Sequence, residues 1–291
     1  MDALFLVDKP PGLTSHDVVE AVRRASGERR VGHGGTLDPL ARGLLIICTG
    51  RATRLSEFLL GHPKTYRAAI TLGVETETDD AEGRVLAVRP VRVTRDQVLA
   101  ALGRFQGPLL QRPPRYAALK QRGRPLYALA RAGEAVEPAP RPVEVYRLAL
   151  RLFAPPLLVV EAEVSAGTYL RALARDLGRA LGTGAHLSGL VRLASGTFHL
   201  REAVPLADLC RAFALGTWST CARAPDEALL DLPAIVVDAT GARALRHGQL
   251  WRPPAMERWP AGQTARAYTV EGAFIGVVVA TPQGFQPRKV L

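Results

Sequence analysis

Apolar residues fall into two rhythms along this chain. Ala3 to Val7 is an unbroken apolar run, which predicts a short buried strand, while Val18, Val19 and Val22 recur at helical spacing within Ser15 to Ala25. Thr14 or Ser15 supplies the cap of that helix. Leu44 to Cys48 reads as a second buried strand and Thr65 to Leu72 as a third. Val85 to Val88 reads as an edge partner after a Glu82-Gly83 turn. Thr94 caps a helix over Arg95 to Leu102. Pro108, Pro113 and Pro114 mark an irregular passage into a segment where Leu126 to Ala132 has a helical pattern, while Pro138, Pro140 and Pro142 exclude one.

Residues 157 to 182 form a compact unit. Leu157 to Val164 alternates as a strand, and Ser165 to Thr168 turns into a helix with Leu170, Leu173, Ala174, Leu177 and Leu181 on one face, ended by Gly182. Arg171, Arg175 and Arg179 share another face. Arg171 falls in the first turn, where the helix dipole disfavours a cation, so an anion is expected beside it, either a buried carboxylate or a phosphate. The other two read as a solvated stripe. Ala224-Pro225-Asp226 and Leu232-Pro233 mark a hinge. Beyond it lie a short helix, Thr240 to His247, and strands Ala265 to Val270 and Ala273 to Ala280. The pattern is α+β without regular βαβ alternation, with a small β module at the C-terminus.

Charge changes the picture. The 291 residues carry a net charge of +11, and the stretch 112 to 151 holds nine basic against three acidic residues. Residues 233 to 291 hold seven against three, whereas the first fifty are balanced. Either a nucleic-acid partner or an arginine-solvated surface accounts for such a distribution. Only four of 38 cations are lysines, namely Lys9, Lys64, Lys120 and Lys289, so a retained lysine hints at a specific fit. Three cysteines without a CxxC pair indicate neither a disulfide framework nor a thiolate metal site. No apolar run reaches membrane-spanning length and the first residues lack a signal peptide, so a cytoplasmic protein is expected.

The candidate chemistry centres on residues 32 to 43, Gly-His-Gly-Gly-Thr-Leu-Asp-Pro-Leu-Ala-Arg-Gly. Pro39 biases Asp38 toward extended geometry, and the glycines let a ligand approach closely. Asp38 therefore reads as a mounted catalytic carboxylate or as the N-cap of a helix starting at Pro39, and the two are compatible.

Asp8-Lys9-Pro10 with Gly12-Leu13-Thr14-Ser15, the box Gly-His-x-Gly-Thr-Leu-Asp-Pro-Leu-Ala, Lys64-Thr65-Tyr66, and Ser165-x-Gly167-Thr168-Tyr169-Leu170-Arg171 together resemble the bacterial TruB-type tRNA pseudouridine synthases, in that order and over almost the whole chain. Pro114-x-Tyr116-x-Ala118-Leu119-Lys120 and Gly123-x-Pro125-Leu126-Tyr127 resemble that family's RNA-gripping insert. The resemblance implies a mixed-sheet catalytic core over 1 to 231, with the insert at about 105 to 151, and a barrel-like PUA domain over 232 to 291. It implies isomerisation of the uridine at position 55 in the tRNA T loop to pseudouridine, with no cofactor and no metal. Asp38 matches the catalytic aspartate and Arg171 its ion-pair partner. Tyr66 matches a residue that packs on the base and handles a proton. Tyr169 and Leu190 match pocket walls, and His33 a residue filling space vacated in the loop. Lys64, Lys120, Arg122 and Arg124 are expected to contact substrate. Arg42 departs from the family, which usually has a small hydroxyl residue there. A monomer acting on the T arm without guide RNA is expected.

Two other classes remain in view. A nucleotide-binding enzyme is disfavoured because the glycine loop has neither a Gly-Lys-Ser/Thr ending nor a Gly-x-Gly-x-x-Gly pattern. A non-catalytic RNA chaperone would share the basic surfaces but would not need Asp38 and Arg171.

Overall fold

The computed structural model describes residues 1–117, 119–121, 124–125, 138–253 and 259–291, with Lys120, Gln121, Arg124 and Pro125 described by their backbone. Arg122 and the helix expected over Leu126 to Ala132 lie outside them. The N-terminal half contains strands β1 (Ala3–Lys9), β2 (Val31–His33), β3 (Arg42–Thr49), β4 (Lys64–Leu72), β5 (Val74–Thr76), β6 (Val85–Val88) and β7 (Gly107–Gln111). With them are helices α1 (Ser15–Ser26), α2 (Ser56–Gly61) and α3 (Arg95–Gly103). Further on, β8 (Lys120–Gln121) and β9 (Arg124–Pro125) form a small ribbon. There follow β10 (Arg141–Ala154), β11 (Leu157–Val164), α4 (Leu170–Ala180), β12 (Ala185–Ser195), β13 (Phe198–His199), β14 (Val204–Pro205), α5 (Leu206–Ala214) and β15 (Ala222–Arg223). The C-terminal part holds β16 (Ala234–Val237), α6 (Ala239–Arg246), β17 (Thr264–Thr269), β18 (Phe274–Thr281) and β19 (Gly284–Val290).

One mixed sheet dominates, with the path β14-β1-β3-β12-β4-β11-β10-β7 and β2, β13 and β15 paired at its margins. β1 and β3 are buried on both faces, which is why they read as apolar runs, whereas β4 and β11 alternate between buried and partly exposed positions. In β1, Ala3, Phe5 and Val7 enter the cluster packed by α1, α3, α4 and α5, whereas Leu4 and Leu6 enter a second cluster with Leu44, Ile46, Leu55 and Leu59. The Thr14 cap is realised as a reciprocal capping box with Asp17, and Thr94 does the same with Gln97.

Three expectations for residues 1 to 231 change. β6 pairs with β5 in a separate hairpin and is not an edge of the main sheet. Residues 107 to 111, read as irregular because of Pro108, are instead the outermost strand, where a proline costs no ladder bond on its open side. Its partner β10 carries Pro142, and the main sheet thus takes in both ends of the 105–151 stretch. Finally, the Pro225 region is no free hinge: Ala228 and Leu229 are buried in the second core cluster, joined there by Val277 of the C-terminal sheet.

The C-terminal strands form their own sheet, β16-β17-β18-β19, around Ile235, Leu245, Trp251, Ile275 and Phe285. Among the described residues this sheet is open, so the barrel-like expectation becomes a four-stranded sheet covered by α6. Glu57 meets Arg288 at 3.5 Å and Lys289 at 3.0 Å, and Tyr268 donates to Asp226 at 2.7 Å, tying the module to the core.

Candidate active site

Asp38 lies in the loop between β2 and β3, and nearly every turn of that loop is anchored from below. Arg192 of β12 is buried and has no carboxylate partner among the described residues. It donates to the carbonyls of Leu44 at 2.7 Å, Gly35 at 3.0 Å and Thr36 at 3.2 Å. Ser15, at the start of α1, accepts from the Leu37 amide at 2.8 Å and donates to its carbonyl at 3.1 Å. Lys9, fully buried, donates to the carbonyls of Pro10, Leu13 and Pro39. The Gly12 amide reaches Pro39 as well, at 2.8 Å. Gly43 closes the loop with φ of +101°, and a Cβ there would stand 2.5 Å from the Arg192 carbonyl, so only glycine permits β3 and β12 to approach so closely.

No helix starts at Pro39. The Asp38 carbonyl instead accepts from Ala41 at 3.0 Å in a turn, which leaves the side chain free for other work. It meets α4. Arg171 Nη2 donates to Asp38 Oδ1 at 3.2 Å, and Arg171 Nε stands 2.9 Å from Oδ2, close enough for ion pairing but not aligned as a hydrogen bond. The other side of the same guanidinium faces Asp80 at 3.4 Å and donates to the Thr78 carbonyl, while Nη2 also donates to the Tyr116 carbonyl at 3.0 Å. The anion expected beside Arg171 is therefore a pair of carboxylates.

The two acids differ in exposure. The Asp38 side chain is 33% exposed and that of Asp80 5%, against 6% for Arg171. Asp80 is held by the Thr78 hydroxyl and the Glu82 amide, so it serves as a fixed counter-charge, whereas Asp38 presents its carboxylate to solvent. Burial pushes the Asp38 carboxyl above its usual range, Arg171 pulls it back, and Asp80 pushes it further up. One helical turn on, Arg175 pairs with Asp79 at 2.8 Å and donates to the Arg112 carbonyl, so it is structural where the sequence suggests a solvated stripe. Arg179 remains exposed.

Tyr169 stands immediately before α4, and burial raises its phenol pKa, with Arg171 and Asp38 acting on it in opposite senses. Leu190 and Tyr66 are buried in the cluster that also holds Leu37 and Leu170, neighbours in sequence of Asp38 and Arg171. Tyr66 pairs across β4 and β12 with Arg192, whose guanidinium holds the Asp38 loop. His33 accepts from the Gly35 amide at 3.3 Å, and burial and the nearby Arg192 charge lower its pKa, favouring the neutral ring. Lys64 does something other than reach outward. Its ammonium donates to the carbonyls of Leu59, Leu60 and His62, closing the C-terminal end of α2. Lys120 and Arg124 lie on the β8–β9 ribbon.

Sequence reasoning missed Asp80, Arg192, Ser15 and Gln111. The adjacent acids Asp79 and Asp80 are a visible signal. Lys9 stands out in the sequence by the rarity of lysine and by its place in Asp8-Lys9-Pro10, neither of which tells what it bonds.

A carboxylate on an anchored loop, ion-paired to a buried arginine and open to solvent on one side, can present an oxygen to a ligand. The profile of the TruB family pseudouridylate synthase N-terminal domain matches residues 23–170, and that of the tRNA pseudouridylate synthase B C-terminal domain matches 171–236. A tRNA pseudouridine synthase B of Thiobacillus denitrificans is 43% identical over 291 residues, covering 100% of this chain and 96% of that protein. One from Symbiobacterium thermophilum is 46% identical over 252 residues, covering 85% and 82%. Among solved structures, a Cbf5-Nop10-Gar1 complex has a chain that superposes with a TM-score of 0.79 at 25% identity, covering 99% of this chain and 84% of that one. The chain belongs to the TruB family of pseudouridylate synthases.

Proposed function

We propose that this chain converts the uridine at position 55 of the tRNA T loop to pseudouridine, with Asp38 as the reacting carboxylate. That the enzyme is an isomerase acting on tRNA uridine follows from its family. The observation carrying the rest is the Asp38–Arg171 pair on a loop held by Lys9, Ser15 and Arg192. In the reaction the N1–C1′ bond breaks, the base turns, and C5 bonds to C1′; N1 gains a proton and the C5 hydrogen leaves to solvent. Attack on the base, attack at C1′ and removal of a sugar proton all begin with an ionised oxygen. Arg171 favours that form of Asp38 against the cost of burial.

The target base must leave its stack to reach Asp38. Tyr66, Tyr169 and Leu190 supply aromatic and apolar surface to receive it, and neutral His33 fills the space it leaves. Lys64 is engaged with α2 and drops out of the substrate contacts. Lys120, Arg122 and Arg124 keep their assignment to RNA phosphates. Residues 1–231 act as the catalytic domain and 232–291, with a sheet and core of their own, as an RNA-binding module. The protein works as a monomer in the cytoplasm, without guide RNA.

Release of tritium from C5-labelled, unmodified tRNA tests the reading. Wild type should release label from position 55, whereas Asp38→Asn, which keeps size but removes the anion, should bind tRNA and release none. Activity of Asp38→Asn within about tenfold of wild type would sink the assignment, since loss of an essential ionised group costs far more.

A further inference from the structure

We infer that Gln111 is a positioning residue of the active site, setting the start of α4 and the pose of Tyr169 through its side-chain amide. This rests on the function proposed above. Gln111 ends β7 and is only 5% exposed. Its Oε1 accepts from the Tyr169 amide at 2.8 Å, while its Nε2 donates to the Tyr169 carbonyl at 3.1 Å. A side chain thus makes both bonds that a neighbouring strand would make to extended backbone, and Tyr169 is extended, with φ of −105° and ψ of 113°.

Tyr169 is the residue from which α4 starts. It caps the helix without any side-chain cap of its own, and its carbonyl also accepts the first helical bond, from Leu173 at 3.1 Å. Fixing that carbonyl fixes where the helix begins. Arg171 comes two residues later, so the same clamp places the guanidinium that faces Asp38 and Asp80. The segment after Gln111 is held to α4 in return: Arg175 donates to the Arg112 carbonyl at 2.8 Å and Arg171 to the Tyr116 carbonyl at 3.0 Å. A primary amide makes the two bonds through separate atoms, an acceptor oxygen and a donor nitrogen, and asparagine is one methylene too short to span the same gap. No charge recommends Gln111, and no reaction step needs it. Its effect passes through Tyr169 and Arg171.

The test uses single-turnover tritium release from labelled tRNA across pH, together with tRNA affinity and thermal melting. Asp38 is faced by Arg171 from α4, Asp80 from the turn after β5, Lys9 from β1 and Tyr169. If Gln111→Met lets α4 shift, Arg171 holds the ionised Asp38 less well. The acid limb of the rate profile should then move to higher pH and the plateau rate fall about 10- to 100-fold, with affinity nearly unchanged. Gln111→Glu keeps the acceptor for the Tyr169 amide but loses the donor to its carbonyl, and should fall between Gln111→Met and wild type. It also serves where Gln111→Met fails to fold. Should Gln111→Glu match wild type in rate and acid limb, or should the variants lose only melting temperature or only tRNA affinity, the inference is wrong. A wild-type protein that releases no label would overturn the proposed function instead, so the two failures are distinguishable.

Discussion

Replacing Arg171 by Met removes one guanidinium from between two carboxylates, and the consequences for stability and for turnover run in opposite directions with pH. Stranding a buried ion partner costs roughly 3 to 5 kcal/mol. Here Asp80 retains the Thr78 hydroxyl and the Glu82 amide, and the Asp38 side chain is 33% exposed to water. The loss should therefore sit at the lower end, about 3 kcal/mol, with the Thr78 and Tyr116 carbonyls also losing a donor. For a chain of this size that is a fall in Tm of roughly 6 to 12 °C.

Asp38 already titrates above the ordinary carboxylate value because of burial, and removing Arg171 moves it further up. A carboxyl whose folded pKa is raised favours the fold fully below its unfolded pKa, and that contribution is lost as pH rises through the folded value. Relative to wild type, Arg171→Met should thus melt with the smallest deficit in mild acid and the largest at neutral pH and above. In the proposed function turnover needs the ionised carboxylate, so its deficit should run the other way, deep in mild acid and shallower as pH rises. Paired melting and tritium-release profiles read both. Deficits in rate and stability that track each other with pH would mean that Arg171 acts only as a structural prop. Unchanged melting with full turnover at neutral pH would remove the ion pair from the mechanism.

Tyr66→Ala should lose base stacking, worth roughly 1 to 3 kcal/mol, together with any proton transfer, whereas Tyr66→Phe should keep the first and lose the second. A fully active Tyr66→Ala would take Tyr66 out of the site. Lys64→Met should leave two α2 carbonyls and that of His62 without their donor and lose roughly 1 to 3 kcal/mol of stability while tRNA affinity stays constant. Burial lowers the Lys64 pKa to about 8, so wild type should gain stability as pH rises from about 8 toward the ordinary lysine value, and Lys64→Met should lack that gain. Weaker tRNA binding at unchanged stability would return Lys64 to the substrate. Removing Lys120, Arg122 and Arg124 together should weaken binding to whole tRNA and to an isolated T-arm hairpin alike, and flatten the slope of log affinity against log salt by up to roughly 2 units. An unchanged slope would move the RNA footprint to the C-terminal module.

Strands and caps are legible where local chemistry decides them. An apolar run such as Ala3 to Val7 can only be satisfied between two layers, and the Thr14 and Thr94 boxes close within four residues of chain. β12 is not legible, because His186, Ser188, Gly189 and Arg192 interrupt its apolar pattern. Those interruptions include its function: a bulge lies between Leu187 and Gly189, and Arg192 leaves the strand to hold the Asp38 loop. β7 is hidden by Pro108, which the outermost strand accommodates, and β10 by Pro142, which precedes the start of its pairing with β11 at Val145. The C-terminal hinge is misread because proline signals a turn and carries no information about Ala228 and Leu229 burying themselves in a core assembled from distant elements.

The site divides along the same line. Asp38 and Arg171 can be singled out separately, one by its loop and the other by an unfavourable place on its helix, although 133 residues separate them. How they are steadied cannot. Lys9 and Arg192 are buried cations, and each bonds backbone carbonyls, which every residue possesses, as Lys64 does at the end of α2; no side-chain pattern in the chain announces such a contact. Gln111 bonds backbone as well. Carbonyl partners also suit the chemistry: a carboxylate beneath the loop would neutralise Lys9 or Arg192, whereas a carbonyl satisfies the donors and leaves the charge in place. The loop is therefore held rigid while the ground under Asp38 stays positive, and Lys9 lowers the Asp38 pKa on that account.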